Sequence, residues 1–424
     1  GPPRAYQGVP HPLPTTAMHV VFVEPGFPAN QKEFVRGLAR FGATVSAIGE
    51  RHVDELDDEL RGWLLHYEQV PSVVDEGALH RAVSWIHERL RVDRLEATVE
   101  AHVLAAARVR EAVDIPGTSV RTAYLCRDKP AMKEVLREGG VATAASLGSD
   151  DPEAITAFAR EVGFPLIVKP PAGAGAAGTE RVDSEEALSA ALGRAGVHQG
   201  ATVAVEEFIE GHEAFYDTIT INGSVAHEFI THYYPNVLEA MRTRWISPQF
   251  ITTNRLETAS GYQPVLEMGR KVNRLMGIET SATHMEWFFG PKGLRFSEIG
   301  CRPPGVRSWD LYAVANDLDI YQEWAMAVAW GRTLKKASRR LSAGLVALRP
   351  DQDGVISGYE GIEEVHERFG EWIIDAHLPA AGTPTQPVEA GYMANAWIRM
   401  KHSDYDHLRS MLDAVGELVQ VRAR

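Results

Sequence analysis

The 424-residue sequence holds only two cysteines, Cys126 and Cys301. Two thiols cannot frame a disulfide-built fold, and their scarcity fits a reducing compartment, so the expected location is cytoplasmic. Long apolar runs are also missing, since none approaches the roughly 20 residues that a bilayer-spanning helix needs. Positive charge is in deficit, with 43 Lys and Arg against 57 Asp and Glu and a formal net charge of -14. That balance argues against a general partner of nucleic acid or anionic membrane. Repeats and low-complexity tracts are absent, and His227, His232 and His284 lack the spacing of a zinc site. What is present, 45% hydrophobic and 24% charged residues, is ordinary for a globular chain, and the length calls for two or three domains.

Residues 1–17 carry five prolines and no apolar periodicity, and read as a leader or tail outside the fold. The run His19 to Val23 then suits a buried strand, Asn30 to Phe41 a helix closed by Gly42, and Thr44 to Ile48 a second strand. Helical stretches follow at 78–90 and 99–112, so this half reads as a small open α/β domain ending near residue 120. A second unit opens near Asp128, with a helix started by Asp151-Pro152, the strand "FPLIVKP", a helix capped by Ser184 and the strand "ATVAVEEFI". Beyond residue 213, alternating stretches dominate, and Asn222-Gly223 between two of them signals a hairpin. Residues 340–424 mix strands with a final helix near 405–415.

Four stretches carry chemistry. "VKPPAGAGAAGTERV" contains G-x-G-x-x-G at Gly173, Gly175 and Gly178, but no helix opens directly after it, so neither a Rossmann fingerprint nor a P-loop fits. A small-residue loop between strands can still close over phosphates, its amides unobstructed by side chains; a plain hairpin tip is the other reading. Lys169 ends the preceding apolar strand, where an unpaired ammonium is costly to bury. In "VEEFIEGHE", Phe208 and Ile209 offer a flat apolar slot for an adenine, with an acid to receive its amine. In "HMEWFFGPKGLRFSEIGCRPPG", a three-residue loop 291–293 with left-handed Gly293 sets Glu286 opposite Glu298. Facing carboxylates repel, and a cation resolves the conflict. A slip of one residue would instead part them onto opposite faces. Arg302, four residues on, is placed to neutralise an anion.

Taken in order, these stretches resemble the ATP-grasp ligase family over nearly the whole ordered chain. The resemblance implies an α/β (α+β) fold: a Rossmann-like domain (18–122), a central lid domain (123–211), an ATP- and metal-binding sheet domain (212–340) and a C-terminal subdomain completing it (341–424). "RDKPAMKEVLREGGV" is similar to the family's lysine start, making Lys129 phosphate-binding beside Lys169 and the flap residues Gly173, Gly175, Ala176, Ala177 and Gly178. Glu206 would take the adenine amine, Glu207 and Ile209 would give backbone contacts beside Phe208, and Glu213 would bind the ribose. Glu286 and Glu298 would hold one or two Mg²⁺ ions, with Mn²⁺ an alternative, and Arg302 would be catalytic. Many members have asparagine where this chain has Gly300, which implies an extra water or weaker binding at one ion.

The reaction so implied uses ATP to join a carboxylate to an amine through an acyl phosphate. "CRPPG" is similar to the ending in amino-acid (dipeptide) ligases, so the substrates expected are small: an amino acid or peptide-like metabolite. A homodimer is compatible with this reading. His284, Arg307, Trp309 and Arg255 are the substrate-contact candidates, and Arg244 sits in the same long basic loop as Arg255. An ATP-grasp carboxylase or formate-using purine-pathway enzyme stays open. Biotin carboxylases are disfavoured because Val306-Arg307 stands where they carry Val-Glu. A non-catalytic ATP-binding module is the reading of another class, and Glu286, Glu298 and Arg302 argue against it.

Overall fold

A computed structural model describes residues 17–169 and 178–424 of the chain. Its first layer is a parallel sheet of β1 (His19–Val23), β2 (Thr44–Gly49), β3 (Leu64–Gln69) and β4 (Arg94–Glu96), ordered β3-β2-β1-β4. β1 is buried at every position, as an apolar strand covered on both faces must be. Helices Glu76–Arg89 and Glu100–Val113 cover one face through Leu79, Val83 and Ile86. On the other face, helix Lys32–Arg40 sets Phe34 against Trp309, Tyr321 and Trp324 of the larger unit, with ring centroids 5.0–5.5 Å apart. Those aromatic contacts tie the two units into one core.

The second sheet is small and antiparallel: β5 (Ser146–Ser149), β6 (Leu166–Lys169), β7 (Glu180–Val182) and β8 (Val203–Glu207), ordered β5-β8-β6-β7. Helices Pro152–Val162 and Glu185–Arg194 back it. Asp151 caps the first through Glu153 N–H, and Ser184 caps the second through Ala187 N–H.

The third sheet has eight strands: β9 (His212–Ile221), β10 (Ser224–Tyr234), β11 (Gln249–Thr252), β12 (Ser281–Gly290), β13 (Gly293–Gly300), β14 (Ser342–Leu348), β16 (Ile373–His377) and β17 (Ala396–His402). Their order is β13-β12-β9-β10-β11-β14-β17-β16. A separate pair, β15 (Ile356–Glu360) with β18 (Gln420–Ala423), lies beside it. β9 and β10 join through Asn222 and Gly223, both at positive φ (49° and 84°), as the right-handed twist of a tight hairpin requires. Helix Lys129–Glu138 packs Met132 and Leu136 against helix Gln263–Met276 and the back of β9 and β12. β3, β11 and β18 escape a periodicity reading: β3 is a half-exposed edge, and β11 and β18 are four residues long. Among the described residues, no helix is long and apolar enough to cross a membrane.

Candidate active site

Between the small and large sheets lies a cavity of about 620 Å³. The large sheet supplies its floor through strand alternation. On β9, Glu213, Phe215 and Asp217 share one face; on β12, they stand opposite Phe288, Glu286 and His284 respectively. β13 completes the row with Glu298 directly opposite Glu286.

The facing glutamates arise by a different route from the one the spacing suggests. The turn is tighter, with Gly290 paired to Gly293 across two residues and Gly293 at φ 86°. Alone, that turn would put the two acids out of step. A bulge between Glu286/Trp287 and Glu298/Phe296 leaves Ser297 unpaired and restores the pairing. The carboxyls come close enough to share a hydrogen bond. Both line the cavity, and Lys129 Nζ reaches Glu298 Oε2 at 3.1 Å. Burial opposes the charge on Lys129, but Glu298 raises its pKa above the usual lysine value.

Behind this pair stands a buried network. Asp217, fully buried, holds His284 Nδ1 at 2.6 Å and also accepts from Tyr312, whose hydroxyl lies 3.0 Å from Thr231. Burial would make His284 less basic, yet the Asp217 charge and hydrogen bond push its pKa up to about 9. The other ring nitrogen lies 3.6 Å from Glu286. Although burial works against its charge, Glu286 is held below the usual carboxylate range, chiefly by His284. Glu213 behaves oppositely. Burial and the neighbouring Glu286 carry it up to about 8, although its Oε2 accepts the Val237 N–H at 2.9 Å.

The small sheet supplies the roof. Lys169 Nζ lies 2.9 Å from one oxygen of Glu206, and Lys133 Nζ lies 2.7 Å from the other. Burial raises the Glu206 pKa, but the two lysines overcome it and pull the value down to about 2. Phe208 and Ile209 line the cavity beside them, and the Arg181 guanidinium lies over the Phe208 ring at 4.3 Å.

Most expected site residues thus meet in one cavity: Lys129, Lys169, Glu206, Glu207, Phe208, Ile209, Glu213, His284, Glu286, Glu298 and Arg302. Gly173, Gly175, Ala176 and Ala177 lie outside the described residues. Gly178, at φ 75°, is described but does not line the cavity. The strands flanking this loop, β6 and β7, pair antiparallel, as a loop between two strands demands.

Several details need correction. The Glu206 carboxylate is engaged by two lysines, one on each oxygen. Glu207 spends its N–H on the Ala145 carbonyl at 2.8 Å, so that donor is unavailable to a ligand. Trp309 is a core residue, 3% exposed and stacked among Phe34 and Tyr321, because its helix turns it towards the first domain. Arg255 pairs at the surface with Asp404 and Asp406, and Arg244 with Asp353. Arg307 pairs with Asp310 at 2.7 Å; neither it nor Arg255 lines the cavity.

The structure adds residues that the sequence reading missed. Lys133 lies one helical turn after Lys129, a spacing that could have exposed it. Glu100, from the first domain, accepts from Arg302 Nε at 3.0 Å. A Cβ on Gly300 would stand 3.1 Å from that Glu100 carboxylate and 3.3 Å from Arg302 Nε, so this contact favours glycine there.

The chain's own donors fit a hard divalent cation only in part. Among the described residues, no group of three His, Cys, Asp or Glu side chains is arranged to hold a metal. Two facing carboxylates are nevertheless what Mg²⁺ uses when phosphates and waters supply its remaining oxygens.

Comparison with known proteins follows the same lines. Residues 128–216 match the carbamoyl-phosphate synthase L chain ATP-binding domain. The L-arginine-specific L-amino acid ligase of Bacillus subtilis is 27% identical over 249 residues, covering 57% of this chain and 59% of that protein. An alanine–anticapsin ligase of Bacillus subtilis is 24% identical over 297 residues, covering 66% of this chain and 59% of that one. The matches thus span 59% of these curated relatives. The L-amino acid ligase from Bacillus licheniformis superposes with a TM-score of 0.75 at 17% identity, over 96% of this chain and 99% of that one. An N5-carboxyaminoimidazole ribonucleotide synthetase in complex with ADP follows at a TM-score of 0.67 and 12% identity, covering 94% and 96%.

Proposed function

We propose that this chain, which has the ATP-grasp fold, is an ATP-dependent ligase joining a carboxylate to an amine, with an amino acid or peptide-like metabolite among its substrates. The observation that carries the reading is the carboxylate pair Glu286 and Glu298, set face to face on the cavity floor beside Lys129 and His284. Acids brought this close repel unless a cation joins them.

Mg²⁺, when bound, would supply charge neutralisation to the triphosphate, and Glu286 and Glu298 would hold it. The apolar slot of Phe208 and Ile209 would receive the adenine, and Glu213 would bind the ribose hydroxyls. Lys129 and Lys169 approach the phosphates from opposite walls. The substrate carboxylate attacks the γ-phosphate, giving an acyl phosphate and ADP; the amine then attacks the acyl carbon and phosphate leaves. Arg302, oriented by Glu100, offsets charge on the acyl phosphate and on the oxyanion that follows. The Asp217 contact fixes the His284 ring so that its other nitrogen faces Glu286. Domain boundaries at 122, 211 and 340, work in the cytoplasm and a homodimeric state complete the proposal.

The test is phosphate release from ATP and Mg²⁺ across the common amino acids, singly and in pairs, with Glu298→Ala as control. Release that requires a particular pair and vanishes in the variant supports the ligase reading. Tight ATP binding with no release for any pair would favour the non-catalytic reading or an acid outside the panel.

A further inference from the structure

One wall of the cavity is left unexplained by ATP, metal or phosphoryl chemistry. Gly391 and Tyr392, in the segment before β17, line it. Tyr392 is 5% exposed, and its hydroxyl has no hydrogen-bond partner among the described residues. Packing fixes the ring, which stacks on Tyr233 with centroids 6.0 Å apart and meets Phe250 edge-on at 5.4 Å. Arg349, the residue after β14, stands behind that wall. Its Nη1 donates to the Thr243 carbonyl at 2.8 Å, while its Nη2 is buried with no hydrogen-bond partner among the described residues. Glu389 acts on this guanidinium only from a distance, Arg244 is a second cation in range, and the Tyr392 oxygen lies within its field.

A buried donor pair left without an acceptor is costly unless a ligand completes it. The missing partner is an anion that accepts hydrogen bonds. The phosphates have Lys129 and Lys169, and the acyl group must sit by Arg302, so neither needs this wall. Tyr392 lines the same cavity as Glu213, Glu286, Glu298 and Arg302, so a group held on it faces the same space as the reacting centre.

Resting on the ligase reading above, we propose that Tyr392, with the Arg349 guanidinium behind it, receives the free carboxylate of the amine substrate, so that the nucleophile is an amino acid rather than a simple amine. A ligand anchored there points its amino group at the acyl phosphate over Glu286 and Glu298. Tyr392 touches the substrate; Arg349 is a positioning residue that holds charge and orientation behind it.

Three nucleophiles test this with one activated acid: an amino acid, the same amino acid as its amide, and hydroxylamine, which carries no carboxylate. The wild type is expected to prefer the amino acid over its amide by at least about tenfold in kcat/KM, the worth of one charge-assisted hydrogen bond. Tyr392→Phe and Arg349→Met should each lower the ratio of peptide to hydroxamate efficiency about tenfold or more, through KM for the amino acid. Arg349→Lys should recover part of that loss. Hydroxamate formation by each variant reports that it is folded. Equal use of amide and amino acid by the wild type would overturn the proposal. So would variants in which peptide and hydroxamate formation fall together, the mark of a structural role. A wild type that forms no hydroxamate from any acid instead removes the ligase reading, and this inference with it.

Discussion

Glu206 and Glu213 stand seven residues apart, the first mostly covered, the second buried, and both facing the same cavity, yet their environments drive them in opposite directions. Glu206, at the end of β8, has a lysine on each oxygen and is held at about 2. Glu213, at the start of β9, has burial and the charge of Glu286 against it and rises to about 8. The roof of the site is therefore electrically closed by the chain itself, whereas the floor carries acids in excess. A protein whose only task was stability would distribute its lysines more evenly. The imbalance supports the proposal that the floor holds a cation.

The sharpest way to break this comparison is to remove one acid from the floor. Glu298→Ala should lower ATP-dependent phosphate release by at least about 100-fold, because it removes a metal-holding carboxylate and the partner of Lys129. Folding should survive, since the change relieves acid repulsion. A thermal melt alongside the assay checks both halves, and substantial residual release would place the cation elsewhere.

Acting on the roof should do the reverse, costing stability first. Glu206→Gln leaves Lys133, whose side chain is 3% exposed, and Lys169 without a counter-charge. Breaking a buried pair by removing one partner costs about 3–5 kcal/mol. Denaturant unfolding of the nucleotide-free protein should show that loss. A variant as stable as wild type would mean that the lysines are solvated and the roof is not closed.

These two regions also differ in how far the sequence reveals them. Part of the floor lies on one hairpin, so Glu286, Glu298 and Arg302 are local in sequence and strand alternation suffices to find them. Even there the route was hidden: a tight turn and the Ser297 bulge cancel each other, and no period-2 pattern distinguishes that from a longer loop with no bulge. The roof is assembled from three distant segments, of which Lys169, stranded at an apolar strand end, and the stretch from Glu206 to Ile209 announced themselves. Glu100 and Tyr392 reach the site through tertiary packing that leaves no local mark. Trp309 misled because proximity to Arg302 in sequence does not survive a helix that turns it into the core.

Titration sharpens the comparison further. A carboxyl whose folded pKa is raised from 4.5 to about 8 binds more protons folded than unfolded across that window. Its contribution to stability is therefore full below pH 4.5 and is lost as pH rises towards 8. Glu206 has the opposite sign: its contribution is present above about 4.5 and is lost as pH falls towards 2. Without nucleotide or metal, Glu213→Gln should gain melting temperature relative to wild type as pH goes from 5 to 8. Adding Mg²⁺ with ATP should shrink that gain, since a cation on the floor favours the charged Glu213. A difference that stays flat with pH would show that Glu213 is ionised throughout.

The smallest effect belongs to a charge that looks functional in sequence and is not so placed. Arg255 sits in the long basic loop between sheet strands, yet its guanidinium meets Asp404 and Asp406 with 38% of its side chain exposed. Solvent and salt screen such a pair, which is worth less than about 1 kcal/mol. Arg255→Ala should leave phosphate release within about twofold and shift the unfolding midpoint only slightly, with that shift shrinking as salt is added. A large loss of activity would require the loop to swing Arg255 into the cavity. The floor would then recruit a cation from the protein surface, and the contrast with the closed roof would no longer depend on an absent ion.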